Sequence, residues 1–257
     1  MNKDQLSLTK AKFPTLFSFS QDYEGKDKND IRQYFRDKPT LILGEGYWLK
    51  YERALQLLPV EDKNHLLNKL KTLTKKLSEQ EGWPHFEEKL NEALVYEYLQ
   101  KEGYRKIKFI QENSRNGRKP DFEILNSDFS LKGLIEVKTI RYSLDEFAAV
   151  KKETETGEGR FLQMQAKGLY EKINDALITS AIQLKSYSSS AIEIRGVYLF
   201  LNLDSGILMD LIFTPTSDLE QFLCKTKKDL YSKEQVELKI YLLSGIFGDP
   251  KEFKCKD

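Results

Sequence analysis

The sequence predicts an α/β fold, a central mixed β-sheet flanked by helices, preceded by a mainly helical N-terminal region. Three observations carry this expectation. Leu55, Leu58, Leu66, Leu67, Leu70, Leu73 and Leu77 recur at helical spacing among lysines and glutamates. From Trp83 onward the pattern becomes helix, three strands, helix, strand, the order of a sheet covered by helices. Val197-Tyr198-Leu199-Phe200-Leu201 is an uninterrupted apolar run, as expected of a buried strand. Residues 1–82 are therefore read as a helical region of unassigned role, and residues 83–257 as the domain that carries the chemistry.

In chain order, residues 40–43 with Gly44-Glu45-Gly46 read as a short strand or a turn-bounded apolar patch. Pro59 interrupts the first leucine run, and residues 64–79 form one amphipathic helix. Pro84 opens a helix that runs to about Glu102 and stops at Gly103, since proline suits a helix start and glycine the position just past its end. Residues 106–110, 121–125 and 134–140 read as strands, the last two joined as a hairpin centred on Asp128-Phe129 within a turn-rich stretch. A charged loop at 153–159 leads to a helix over 164–187, with a break allowed at Gly168. Residues 207–213 and 238–243 read as strands, with a helix over 218–224 between them.

Composition narrows the function classes. The chain has 257 residues, 40% hydrophobic and 32% charged, with 15 Phe and 13 Tyr, enough for a sizeable core. No apolar run approaches the roughly 18 residues of a membrane span, and the first residues lack the basic-then-apolar order of a signal peptide. A cytoplasmic protein without membrane association is expected. The two cysteines, Cys224 and Cys255, have no metal-ligand spacing with His65 or His85, so reduced thiols are expected rather than a zinc site. The formal net charge of +1 lacks the global basicity of many nucleic-acid binders. Basic clusters at Arg105-Lys106-Lys108 and Arg115-Arg118-Lys119 are local, and both flank Pro120-Asp121.

The hairpin brings chemistry together. Symmetric antiparallel pairing about Asp128-Phe129 sets Leu125 opposite Lys132 and Asp121 opposite Glu136. Asp121, Glu136 and Lys138 then share one face, while Phe122, Ile124, Ile135 and Val137 face the core on the other. Two adjacent carboxylates repel, and binding a cation relieves that repulsion. Magnesium takes oxygen ligands, including one or two carboxylates, together with waters and substrate phosphate. The Val137 carbonyl lies between the key side chains as a further oxygen. Lys138 is placed to orient a water or to neutralise charge developing at phosphorus.

Pro120-Asp121, fourteen residues, then Glu136-Val137-Lys138 resembles the PD-(D/E)XK nuclease superfamily, the restriction-endonuclease-like fold. The resemblance spans about residues 83–213. It implies a phosphodiester hydrolase dependent on Mg²⁺, with Mn²⁺ as a substitute, acting on DNA more readily than RNA in a restriction or defence role. Asp121, Glu136 and Val137 would hold the metal, and Lys138 would assist the attacking water. Many members carry another acid on the preceding helix; here Glu92 takes that position, with Glu88 and Glu97 also open for it. The resemblance further assigns substrate contact to Gln183 and Tyr187 in a Gln-x-x-x-Tyr arrangement, beside Arg118 and Lys119 of the basic track. Homodimers are frequent in such enzymes when both duplex strands are cut. An RNA nuclease acting on transfer RNA, and an inactive nucleic-acid-binding or scaffold protein of the same fold, are the alternatives.

Overall fold

The computed structural model describes residues 11–16, 18, 44–74, 82–110, 119–141, 161–188, 192–202, 218–234, 236–244 and 251–255. The chain divides into two compact units between Arg105 and Lys106. The first contains helices α1 (Gly44–Leu57), α2 (Val60–Thr74) and α3 (Gly82–Lys101). Gly44 to Gly46 thus begin a helix, which corrects the strand or turn-bounded reading there. Residues 40–43 lie outside the described residues.

Pro59 separates α1 from α2, and its carbonyl accepts the Lys63 N–H at 2.8 Å, which opens the second helix. Helix α3 packs against both α1 and α2, so this helix, grouped by sequence with the second domain, clusters with the N-terminal helices. It ends at Gly103, where φ is 91°. Tyr104 N–H bonds Leu99 O and Gly103 N–H bonds Gln100 O, each at 3.1 Å, the paired closure that a left-handed glycine permits. Long-range hydrogen bonds hold some buried polar groups of this unit. The Glu52 carboxylate accepts the backbone N–H groups of Thr15 and Leu16, and Tyr51 donates to Asn91. Burial pushes Lys50 down to about 8, against the opposing charge of Glu87.

The second unit is a six-stranded mixed sheet in sequential order: β1 (Ile107–Phe109), β2 (Phe122–Leu125), β3 (Leu131–Arg141), β4 (Ile194–Asn202), β5 (Lys239–Ser244) and β6 (Lys251–Phe253). β3, β4 and β5 are parallel; the remaining pairs are antiparallel. Helix α4 (Phe161–Tyr187) connects β3 to β4, and α5 (Asp218–Glu234) precedes β5. Strands added in one direction by crossovers of one hand place both helices on the same face. They share a core: Leu169, Ile173, Leu177, Ala181 and Leu184 of α4 meet Leu134, Val197, Leu199 and Ile240 of the sheet and Leu219, Leu223 and Leu230 of α5. Helix α4 passes through Gly168 without interruption. The expected strand at 207–213 and the loop at 153–159 lie outside the described residues.

Two expectations need correction here. A register shift between Ile124 and Leu125 sets Leu125 opposite Leu131, not Lys132. The turn explains it: Phe129 adopts φ 66°, and a left-handed residue closing a hairpin turn adds an unpaired position to one strand. The cysteines are also joined, Cys224 to Cys255, with Cα atoms 5.5 Å apart. Strand β6, which the sequence reading left unassigned, returns along β5 and carries Cys255 to α5.

Close packing at the centre sets a stability test. A Cβ on Gly133 would lie 2.7 Å from Ile194 Cβ and 3.1 Å from Ile194 O, whereas one on Gly196 would meet only the end of the Ile135 side chain closer than 3.4 Å. Gly133→Ala is expected to lower unfolding free energy by about 1–3 kcal/mol, and Gly196→Ala by less, in urea titrations. For the cysteines, the unfolded but unreduced chain should present no reactive thiol to a colorimetric reagent.

Candidate functional site

The register of β2 on β3 builds the site. Phe122 lies opposite Ile135, and a regular continuation of that pairing would set Asp121 across from Glu136. The backbone departs from that regular continuation: Asp121 N–H donates to Ile135 O at 3.0 Å, one position short of it, and Ile110 N–H donates to Asp121 O at 2.9 Å. Phe122, Ile124 and Ile135 are buried on the opposite face, while Val137 is only half-buried.

Asp121 has a structural duty. Its Oδ2 accepts the Val137 N–H at 2.7 Å. Strand β2 begins at Phe122, so that N–H has passed the end of its partner strand, and the carboxylate replaces the missing ladder bond. The Val137 carbonyl, assigned to the metal from sequence, points to the same edge as its N–H.

Glu136 is 3% exposed, on the face that also carries Leu134 and Ile140 under α4. An isolated carboxylate there would be costly. Lys138, two residues along the same face, forms an ion pair with Glu136 Oε1. Gln183 Nε2, from α4, donates to Glu136 Oε2 at 2.7 Å and to Lys119 O at 2.6 Å. Both partners are acceptors, which fixes the orientation of the amide. Gln183 Oε1 is buried without a hydrogen-bond donor.

Tyr187, one turn beyond Gln183, reaches a different acid. Its hydroxyl donates to Glu123 Oε1 at 2.7 Å, and Lys108 Nζ lies 3.0 Å from Glu123 Oε2. Lys108 was noted in the sequence only as part of a basic cluster and Glu123 was missed, although the signal was there: Glu123 is two residues from Asp121 and so shares its face.

The other assigned residues have surroundings of their own. Arg118 lies outside the described residues, and Lys119 contributes its backbone carbonyl to Gln183. Glu92 belongs to α3 of the first unit, where it is buried and paired with Lys89 at 2.5 Å. Glu88 pairs with His85, and Glu97 with Arg53 and Lys101. Among the described residues, no group of three or more His, Cys, Asp or Glu side chains is arranged to hold a metal ion. The oxygen donors suited to a hard cation are thus the two carboxylates and the Val137 carbonyl, a set that magnesium accepts when waters and phosphate complete it. The buried, undonated Gln183 Oε1 is a further oxygen of the same character beside them. In chemistry the residues fit the ion.

Comparison with protein-family models, with curated proteins and with solved structures finds no match.

The Tyr187 hydroxyl titrates high, pushed up to about 12 by burial first and then by its bond to Glu123 and that group's charge. An unfolded tyrosine loses its proton near 10. The folded state therefore holds the proton more tightly, and this contribution to stability is complete below about pH 10 and lost as pH rises through 12. An ultraviolet titration of wild type minus Tyr187→Phe is expected to isolate one group ionising near 12. Ionisation at the ordinary tyrosine value would show that the Glu123 contact is not made.

Proposed function

We propose that the chain is a divalent-metal-dependent nuclease with a restriction-endonuclease-like core, hydrolysing phosphodiester bonds in nucleic acid, with DNA as the first substrate to test. One observation carries the reading: a buried glutamate is paired with a lysine two residues away, and an aspartate at the entry of the neighbouring antiparallel strand bonds the backbone N–H between them. This combination suits a reaction in which charge accumulates on a phosphate.

Asp121, Glu136 and the Val137 carbonyl would hold a magnesium ion, which when bound supplies charge stabilisation and lowers the pKa of water. Lys138 is ion-paired with Glu136, and its ammonium would orient the attacking water and offset charge developing at phosphorus. Water oxygen bonds to phosphorus, the opposite ester P–O bond breaks, and the departing oxygen takes a proton. Gln183 keeps Glu136 and the Lys119–Asp121 segment together by bonding both. Arginine and lysine of the 115–119 cluster would meet the phosphate backbone of the substrate.

The test uses plasmid, linear duplex, single-stranded DNA and transfer RNA, each with Mg²⁺, Mn²⁺ or EDTA. Cutting is expected with either metal and not with EDTA. Lys138→Ala is expected to slow it by at least about 10²-fold, the usual scale for loss of one electrostatic stabiliser, and Glu136→Gln to abolish metal dependence together with cutting. Cleavage that persists in EDTA, or in both variants, would overturn the proposal. Salt-sensitive binding without cutting would instead support the inactive binding protein.

A further inference from the structure

We propose that the tip of the β2–β3 hairpin is a nucleotide contact, in which Phe129 stacks on an unpaired base of the strand and Lys106 meets its phosphate. This inference rests on the nuclease reading of the site and extends it to a substrate-binding element outside the catalytic group.

Phe129 is 69% exposed and sits at φ 66°. A left-handed conformation costs an ordinary residue about 1–2 kcal/mol, so the surrounding turn must impose it. It does so with five hydrogen bonds. Phe129 N–H bonds Asn126 O at 3.0 Å, and Asn126 N–H bonds Ser130 O at 2.9 Å. Asn126 Nδ2 donates to Ser130 Oγ, and the Ser130 N–H and hydroxyl both donate to Asp128 Oδ1. The ring is held outward on a preformed support, and a preformed contact loses little entropy on binding.

A cation is fixed beside it. Lys106 Nζ lies 3.2 Å from the Phe129 ring centroid and donates to Ser127 O at 2.6 Å. Two residues on, Lys108 is exposed on the same side of the edge strand β1. By strand alternation this is the face of Glu123, Asp121 and Glu136. From Asp121 to the turn at Asn126 is about 17 Å along β2 at the rise of an extended strand, or about five nucleotide steps of duplex rise. A strand cut at Asp121 and Glu136 can thus reach the tip.

An aromatic face with a neighbouring lysine is how sequence-tolerant binders hold single strands, since every base offers a π-face. A protein partner is the poorer fit. Phe129 is surrounded in the turn by Asn126, Ser127, Asp128 and Ser130, whereas protein interfaces centre on a cluster of apolar side chains.

The experiment measures binding of the full chain, in EDTA, to single-stranded and frayed oligonucleotides carrying 2-aminopurine at successive positions. Cleavage in Mg²⁺ is followed in parallel. Wild type is expected to quench the fluorescence of one position. Phe129→Ala should remove that quench and weaken binding by about tenfold, with an unchanged melting temperature or a raised one. Phe129→Trp should restore both, and Lys106→Ala should flatten the salt dependence. Binding and quenching by Phe129→Ala equal to wild type would overturn the inference and leave the nuclease reading intact, as would a tip variant that loses only a protein partner. Wild type that neither binds nor cuts any substrate would overturn both.

Discussion

The carboxylate of Glu136 lies beside Leu134 and Ile140 on one sheet face, under a helix that contributes leucine, isoleucine and alanine to the same core. A buried ionised group must be neutralised or hydrogen-bonded, or it undermines the fold around it. Here Lys138 supplies the charge and Gln183 the amide donor. Much of the local architecture follows from that need. Gln183 must come from α4 at this height, so the helix is fixed against β3 by a polar contact as well as an apolar one. Because the same amide bonds Lys119 O, the segment entering β2 is held to the same point.

The second rung of contacts repeats the device one helical turn along. Tyr187 lies four residues after Gln183 and reaches Glu123 on β2, while Gln183 reaches Glu136 on β3. A helix crossing two strands with hydrogen bonds to each cannot slide along its axis without breaking both. Apolar packing alone resists such sliding weakly, since hydrophobic burial is non-directional. The polar pairs therefore determine where α4 sits, and the leucine stripe supplies most of the burial.

How much of this was legible in the sequence depends on the range of the interactions involved. The antiparallel pairing of these two strands, with Phe122 opposite Ile135, could be read because a short hairpin fixes register locally, and alternation then assigns faces. The same reasoning failed at Leu125, where Phe129 in a left-handed conformation shifts the pairing by one residue. Aromatic residues rarely adopt that conformation, so symmetry about the turn gave no warning. The Gln183-to-Glu136 and Tyr187-to-Glu123 bonds join residues 47 and 64 positions apart; spacing on the helix shows that Gln183 and Tyr187 share a face but not which acids they meet. Strand β6 is three residues long, too short for periodicity to register, and with it the Cys224–Cys255 pairing was out of reach.

Asp121 shows why structural and chemical roles are hard to separate in such a site. Its Oδ2 closes the ladder where β2 has run out, so removing the side chain would strip Val137 N–H of its partner as well as removing a carboxylate. Under the proposed function, loss of activity in Asp121→Ala would accordingly have two causes. Asparagine keeps an acceptor oxygen for the N–H and discards only the charge, so the difference between the two variants separates the ladder from the chemistry. The same logic favours glutamine over alanine at Glu136, whose neighbours Lys138 and Gln183 are arranged around a side chain of that length. An acid that organises its own strand pair also positions itself, and that is how a two-strand arrangement can hold its geometry without a ligand.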